Sequence, residues 1–320
     1  VIVRAGGSVS GEFGICLHGL DQSLKNLGKI TGIDNGVDVL HEALIENAGT
    51  IRASIFGLAS ADDAIQILNQ TNGTIAGTID GISIHAVSGQ ESKIVNYGMI
   101  KGGVYALVSS AGTETVLNHG RMVGDVVLGN GADVFDNRGG TVKGDILGDL
   151  GNDTLITDSA ATRLTEGVGA GYDTVRSSVS YALNANVENL YLLGSRDADA
   201  RGNEMANQFE GNAGDNRIFG KGGADRLDGD RGNDILSGGA SADTFVFSKG
   251  SGTDRITDFE AGVDDINLSG LPGITSFADL KAHHVRQDGA DLIIHAGHDR
   301  LIIDDFSRAE LQAGDFPFAL

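Results

Sequence analysis

The chain has 320 residues and a formal net charge of −21, with 44 acidic and 23 basic side chains. This charge excludes a nucleic-acid-binding surface, argues against binding to anionic membrane and favours bound cations. Aromatic residues make up 5% of the chain, Trp is absent and Gly occurs 49 times, which predicts a thin repeat core of aliphatic side chains.

The amino-terminal end carries neither an initiator Met nor a signal peptide. We therefore expect either a trimmed chain or export directed from the other end. The single cysteine, Cys16, cannot form an internal disulfide, and its apolar neighbours predict a buried small side chain. No apolar run is long enough to predict a transmembrane segment.

A repeat runs from the start of the chain to about residue 156, with 19 to 25 residues between its glycines. Its anchor is Asn-x-Gly-x-Ile, at Asn26–Ile30, Asn47–Ile51, Thr71–Ile75, Asn96–Ile100, Asn118–Met122 and Asn137–Val142. Two further apolar pairs in each interval give three strands per coil. The pattern predicts an all-β fold over residues 1–156, a right-handed, three-faced parallel β-helix.

The Asn of each anchor is expected at one corner of its coil, hydrogen-bonded to the Asn of the next coil as a structural ladder. On these anchors the first half of the chain resembles the β-helical passengers of bacterial autotransporter and haemagglutinin-type surface proteins.

The motif Gly-x-Asp then occurs three times, ending at Asp133, Asp153 and Asp173. Because these aspartates are twenty residues apart, coils of that length would stack them on one edge. We expect calcium sites to begin here; the alternative is a coincidence of surface aspartates. Residues 157–246 are interpreted as transition coils followed by a β-roll.

Five tandem nonapeptides fill residues 202–246, each with Gly first, Asn or Asp sixth and an apolar residue eighth. Six turn-forming residues and three strand residues make half a flattened coil, so residues eighteen apart should stack at roughly the 4.8 Å strand spacing. Asn207, Asp225 and Asp243 are then predicted to line one edge, and Asn216 and Asp234 the other. A flexible Gly/Asp linker, the alternative, would need no period.

Two stacked carboxylates repel by about 3 kcal/mol at an effective dielectric of 20. A hard divalent cation between them removes this repulsion, and Ca²⁺ accepts an irregular oxygen shell where Mg²⁺ does not. The predicted ligands are carboxylates, carboxamides and turn backbone groups: Asp133, Asp153, Asp173, Asn207, Gly214, Asn216, Gly223, Asp225, Gly232, Asp234, Asp243, Asp254 and Asp258. The nonapeptide resembles the calcium-binding RTX (repeats-in-toxin) repeat, and residues 163–193 look like the leader of RTX arrays in secreted bacterial proteins.

Residues 247–320 are expected to form a small carboxyl-terminal cap. The segment containing Asp254 and Asp258 resembles the end of the roll in serralysin-type proteases, which implies that both residues complete the last calcium site. A short helix after Ser276, a hairpin across residues 296–298 and a capping box opening a helix at Ser307 are predicted. Residues 315–320 resemble an uncleaved signal for type I secretion.

Two known active-site motifs are incomplete in this chain. Asn96–Met99 lacks the Asp-Pro-His that follows in RTX-bearing uronan epimerases, and His41-Glu42 lacks the second His of the serralysin zinc signature. The histidines His18, His41, His85 and His119 lie on different coils without a partner set for proton abstraction. The sequence therefore predicts a protein that is not an enzyme.

Two functions follow from these features. The favoured one is a secreted, calcium-binding structural or adhesive protein of the bacterial cell surface or extracellular matrix, whose residues 120–260 fold on calcium after type I secretion. An exposed first coil at Val1-Ile-Val3 would also allow end-to-end assembly into filaments. The alternative is a polysaccharide-modifying enzyme, a uronan epimerase or lyase, or its binding module; surface polysaccharide is then a partner.

Overall fold

The computed structural model describes residues 1–19, 21–61, 63–271 and 273–317. It divides into two compact units, residues 1–173 (unit 1) and 174–320 (unit 2). Across the described ranges, no helix has the length and apolar character needed to cross a membrane.

Unit 1 is a parallel solenoid with three columns of strands. The first column contains Ile2–Val3, Gln22–Asn26, Ala43–Asn47, Ile65–Asn69, Glu91–Asn96, Thr113–Asn118, Val134–Asp136 and Thr154–Thr157. The second contains Ser8–Gly11, Lys29–Gly32, Thr50–Ala53, Thr74–Gly77 and Thr141–Lys143. The third contains Ile15–Leu17, Asn35–Val39, Phe56–Ala61, Asp80–His85, Ile146–Leu147 and Leu164–Thr165. Two long strands, Met99–Val108 and Arg121–Val127, span the second and third columns. The predicted three strands per coil are confirmed.

The apolar residue of each anchor forms the core of unit 1. Ile30, Ile51, Ile75 and Ile100 are directly paired from coil to coil and are 0% exposed. Burying one such side chain contributes about 1.5–3 kcal/mol. Each coil therefore gains its stability from the coils next to it, as in other solenoids.

The predicted Asn ladder is present, with one residue assigned differently. Each Asn donates from Nδ2 to Oδ1 of the next at 2.7–2.8 Å, in the order Asn26, Asn47, Asn69, Asn96, Asn118 and Asn137. The ladder residue of the third anchor is Asn69, where the sequence pattern had placed Thr71. That corner contains two extra residues before its glycine, so the Asn-x-Gly spacing fails there.

The prediction that Cys16 is buried is wrong, because this side chain is exposed. In the strand Ile15–Leu17 the inward position is taken by Leu17, which is 1% exposed. Successive strand residues face opposite sides, so the residue before Leu17 points outward.

Unit 2 begins as a parallel solenoid with two columns of strands. The first column contains Thr174–Ser177, Asn189–Leu192, Gln208–Glu210, Arg226–Asp228, Thr244–Val246 and Asp265–Asn267. The second contains Tyr181–Ala182, Asp199–Arg201, Arg217–Gly222, Ile235–Ala240 and Thr253–Ile256. The eighth residues of the nonapeptides point inward and stack, as predicted. Phe209, Leu227 and Phe245 form one stack and Ile218 and Leu236 the other, all at 0–1% exposure.

The remainder of unit 2 caps the second column. The strand Asp299–Ile303 pairs in parallel with Thr253–Ile256, the last strand of that column. The strand Asp291–Ala296 then pairs antiparallel with Asp299–Ile303, and Val285–Asp288 pairs antiparallel with Asp291–Ala296. The hairpin is thus confirmed, and so is the short helix, Phe277–Asp279, whose N-cap is Ser276. A π-helical turn at Leu280–His284 follows it.

The capping box predicted at Ser307 is present in part, since the Ser307 N–H donates to Glu310 Oε2 at 2.8 Å. The Glu310 N–H donates to the Ser307 carbonyl oxygen at 3.0 Å, which closes a single turn, and among the described residues no α-helix follows it. The last helical turn is instead the 3₁₀ segment Ala313–Asp315. Residues 318–320 of the expected secretion signal lie outside the described residues.

Candidate calcium sites

The sixth residues of alternate nonapeptides form a ladder along one edge of unit 2. The backbone N–H of Asn207 donates to Asp225 Oδ1 at 2.7 Å, and that of Asp225 to Asp243 Oδ1 at 2.8 Å. The N–H of Asp243 continues the series to Asp264 Oδ1 at 3.0 Å. We call these four residues the first ladder; all are 2–4% exposed.

The other edge carries a second ladder, formed by Asn216, Asp234 and Asp254. The N–H of Asn216 donates to Asp234 Oδ1 at 2.7 Å, and that of Asp234 to Asp254 Oδ1 at 3.0 Å. The structure therefore brings the nonapeptide residues together on the two edges that the eighteen-residue period predicts.

Four of the five aspartates in these two ladders use one oxygen for the fold and leave the other available; Asp264 uses both, since its Oδ2 accepts a hydrogen bond from the Glu260 N–H at 2.9 Å. Among the described residues, the Oδ2 atoms of Asp225, Asp234, Asp243 and Asp254 are buried without a hydrogen-bond partner. Burial raises the pKa of Asp225 and Asp234 to about 7 and that of Asp254 to about 8. A buried carboxylate oxygen without a donor is costly unless a proton or a cation neutralises it.

The glycine that opens each nonapeptide leaves room for this second oxygen. A Cβ built on Gly220 would contact Asp225 Oδ2, and one on Gly229 or Gly238 would contact Oδ2 of Asp234 or Asp243. The glycine at the first position of the repeat thus keeps open the space beside the carboxylate at the sixth position.

The predicted turn glycines lie against the turns of the preceding coil. Gly223 has φ +92° and Gly232 has φ +140°, backbone conformations that L side chains rarely adopt. A Cβ on Gly232 would meet the Gly214 carbonyl oxygen, and one on Gly223 would meet the backbone of Met205. These glycines are required for the close stacking of the turns that carry the ladders.

Unit 1 contains a third ladder with the same geometry, formed by Asp133, Asp153 and Asp173. The N–H of Glu114 donates to Asp133 Oδ1 at 2.6 Å. The N–H of Asp133 donates to Asp153 Oδ1 at 2.8 Å, and that of Asp153 to Asp173 Oδ1 at 2.9 Å. The Gly-x-Asp motifs therefore stack as their twenty-residue spacing predicts, and burial raises the pKa of Asp133 and Asp153 to about 7.

Asp258 accepts no hydrogen bond from a ladder residue, but beside the larger effect of burial its charge raises the pKa of the first-ladder residues Asp243 and Asp264. Its role in the last calcium site stays a prediction. Asp258 is exposed and accepts hydrogen bonds from Ser237 Oγ at 2.7 Å and from the Gly238 and Gly239 N–H groups at 3.0 Å. The first ladder continues through Asp264, whose motif Gly262-Val-Asp264 has the Gly-x-Asp form and could have been recognised.

A family model for the RTX calcium-binding nonapeptide repeat (4 copies) matches residues 201–236, 210–245 and 219–256. The chain carries RTX calcium-binding nonapeptide repeats. Calcium is its cofactor, and the first and second ladders lie mostly within the matched region.

Two curated relatives come from Rhizobium meliloti (strain 1021). The chain is 42% identical over 177 residues to the endo-1,3-1,4-β-glycanase EglC and 43% identical over 176 residues to the endo-1,3-1,4-β-glycanase ExsH. Each match covers 55% of this chain and 35% of the relative, so the chain spans about a third of the length of these relatives.

The prediction that this protein is not an enzyme is wrong by this comparison, because both relatives are named as glycanases. That prediction rested on the missing motifs of uronan epimerases and zinc proteases and on histidines without a partner set for proton abstraction. It therefore did not address an endo-glycanase.

Two solved structures are similar to parts of this chain. The solution structure of the AlgE6R3 subunit of the Azotobacter vinelandii mannuronan C5-epimerase has a TM-score of 0.32 and 30% identity, over 40% of this chain and 81% of that one. The extracellular lipase LipA of Serratia marcescens has a TM-score of 0.30 and 17% identity, over 80% and 45%. At these scores neither similarity supports a statement about function.

Proposed function

We propose that this chain is a secreted calcium-binding solenoid of a polysaccharide-modifying protein, and that extracellular calcium completes its fold. The observation that carries the first part is the set of buried Oδ2 atoms of Asp225, Asp234, Asp243 and Asp254, which have no hydrogen-bond partner among the described residues. The names of the two glycanase relatives support the second part.

Calcium concentration is the switch in this proposal. Stacked carboxylates without a cation repel by about 3 kcal/mol per pair at an effective dielectric of 20. Sites of extracellular type have dissociation constants of roughly 10⁻⁴–10⁻³ M, so millimolar calcium stabilises the folded state by on the order of 1–2 kcal/mol per site. Calcium bound at several sites together therefore determines whether the chain is folded, as outside the cell, or extended, as in the cytosol at low calcium.

Far-ultraviolet circular dichroism in EGTA and in millimolar calcium tests the folding part. We expect the β-signal to rise on adding calcium and to disappear again on chelation, whereas magnesium at the same concentration should not restore it. Equal β-content in EGTA and in calcium would refute this part of the proposal.

One surface of unit 1 favours contact with a glycan. The rings of Tyr97 and His119 are stacked with centroids 5.2 Å apart, and Tyr97 is 47% exposed. They border a concavity of about 380 Å³ that Met99 and Arg121 also line. An exposed aromatic face beside a guanidinium suits the apolar face and hydroxyl groups of a sugar ring.

Binding and turnover can be measured separately with mixed-linkage 1,3-1,4-β-glucan and, for comparison, alginate. We expect Tyr97→Ala to weaken retardation in affinity electrophoresis with the β-glucan. Tyr172→Ala, at another exposed tyrosine of unit 1, is the matched control. Reducing-sugar release reports hydrolysis. If the chain neither binds nor hydrolyses either polymer, the glycan part of the proposal is contradicted.

Type I export, attachment to the cell surface and end-to-end assembly remain predictions from the sequence. Size-exclusion chromatography with light scattering in millimolar calcium measures assembly. A mass that rises with protein concentration supports it, and a constant monomer mass contradicts it.

A further inference from the structure

Three buried carboxylates meet inside unit 1, outside the region matched by the nonapeptide model. Asp153 and Asp173 belong to the third ladder, and Glu166 follows the strand Leu164–Thr165. Each of the three offers an oxygen that lies within 4.8 Å of the other two. Their side chains are 0%, 0% and 7% exposed, respectively.

Asp153 points an available oxygen into this cluster. Its Oδ1 accepts the hydrogen bond from the Asp133 N–H at 2.8 Å, while Oδ2 is buried and has no hydrogen-bond partner among the described residues. The side chain is fixed by the first bond, so the second oxygen keeps its direction.

Gly148 keeps a space open beside these oxygens. A Cβ built there would contact both Asp153 Oδ2 and Glu166 Oε1. The backbone of Gly148 has no positive φ, so its conformation does not demand glycine, whereas the space between the carboxylates does.

We propose that Asp153, Glu166 and Asp173 bind one calcium ion in unit 1, separate from the nonapeptide sites. Oxygens that share a calcium ion lie at most about 5 Å apart, twice the Ca–O distance of 2.3–2.6 Å. The separations in this cluster meet that limit without movement of the backbone. Glu166 gives the site a third carboxylate, which the pairs of the first and second ladders lack. The inference rests on the proposed function only for the identity of the ion.

Isothermal titration of the full chain with calcium counts the sites, and two variants probe this one from different directions. Glu166→Gln removes a charge with little change of shape. Gly148→Ala retains all three carboxylates and fills the space between them. The exposed Glu91→Gln, also in unit 1, is the control.

Both cluster variants should bind one calcium ion fewer than the wild type, and Glu91→Gln should bind the same number. Glu166→Gln should also unfold at higher urea concentration than the wild type in EGTA and at lower concentration in saturating calcium. A purely structural role for Glu166 would not reverse sign in this way. An unchanged number of sites in Gly148→Ala and in folded Glu166→Gln would overturn the proposal.

Asp234→Ala separates this inference from the proposed function. If Asp234→Ala lowers the number of sites and the two cluster variants do not, only the unit 1 site is refuted. If none of the three lowers it, calcium binding by the ladders is refuted as well.

Discussion

The backbone N–H of Asp225 donates a 2.8 Å hydrogen bond to Oδ1 of Asp243, one coil further along the chain. The same bond joins Asp153 to Asp173 in unit 1 at 2.9 Å. In both cases one carboxylate oxygen holds adjacent coils together. The other oxygen of Asp243, Oδ2, is buried and has no hydrogen-bond partner among the described residues. In the proposed function a cation neutralises this oxygen, which links the stability of the solenoid to calcium.

Removing a ladder carboxylate should therefore raise the calcium concentration needed for folding. Asp225→Ala deletes a proposed ligand and leaves the buried Asn207 N–H without its acceptor, which costs about 1–3 kcal/mol. We expect its calcium midpoint, followed by circular dichroism, to rise several-fold. The exposed Glu210→Ala, from the same repeat array, should leave the midpoint unchanged. Equal midpoints for Asp225→Ala and the wild type would contradict a role for the first ladder.

The opening glycine of the repeat gives a second test. Gly220→Ala places a methyl group against Asp225 Oδ2 and the Gly238 carbonyl oxygen, and such overpacking costs about 1–3 kcal/mol. The calcium-saturated protein should melt at lower temperature and bind calcium more weakly. Gly314→Ala is the control, because its Cβ would meet nothing within 4 Å. A wild-type calcium affinity in Gly220→Ala would show that the space beside Asp225 is not used.

The effect of pH should have opposite signs with and without calcium. Burial raises the pKa of Asp234 to about 7 and that of Asp254 to about 8. Without calcium, the folded chain keeps protons that the unfolded chain, with carboxyl pKa values of about 4, has lost. Its free energy of unfolding should therefore decrease as the pH rises from about 4 to about 7. In calcium, the proton competes with the cation, so affinity should increase over the same range.

Urea denaturation at the two ends of this range, in EGTA and in calcium, measures both trends. Asp234→Asn should weaken the pH dependence, since it removes one of the titrating groups. Calcium-free protein that becomes more stable as the pH rises would contradict the account.

The Asn ladder should matter for stability without affecting calcium. Asn69→Ala breaks the bonds to Asn47 and Asn96 and leaves buried amide groups unpaired, for a loss of about 2–4 kcal/mol in the stability of unit 1. The exposed Asn130→Ala should change it by less than about 0.5 kcal/mol. Calorimetric melting measures both, and calcium titration should give the same number of sites in each. A changed number in Asn69→Ala would mean that the ladder takes part in the calcium sites.

Periodicity explains what could be predicted from the sequence. In a solenoid each coil contacts only its neighbours, so a fixed repeat length places Asp225 over Asn207 and Asp153 over Asp133. The anchor motif likewise placed most of the Asn ladder. These contacts are encoded by spacing alone.

Features outside the repeat could not be found in this way. Glu166 occupies no position of either repeat, and its distance from Asp153 depends on the path of one turn in unit 1. The continuation of the first ladder through Asp264 was missed because this segment departs from the eighteen-residue period. Cys16 was misassigned for a different reason. The prediction relied on the apolar character of its neighbours, whereas in the strand the alternation with Leu17 decides which side chain points inward.

The most direct test of the central claim is a crystal structure in calcium with anomalous scattering measured at a wavelength where calcium contributes. Peaks are predicted beside Oδ2 of Asp225 and Asp234 in unit 2, with a further peak between Asp153 and Glu166 in unit 1. Well-ordered ladders with no anomalous peak beside the Asp225 and Asp234 carboxylates would contradict the claim that calcium completes this fold.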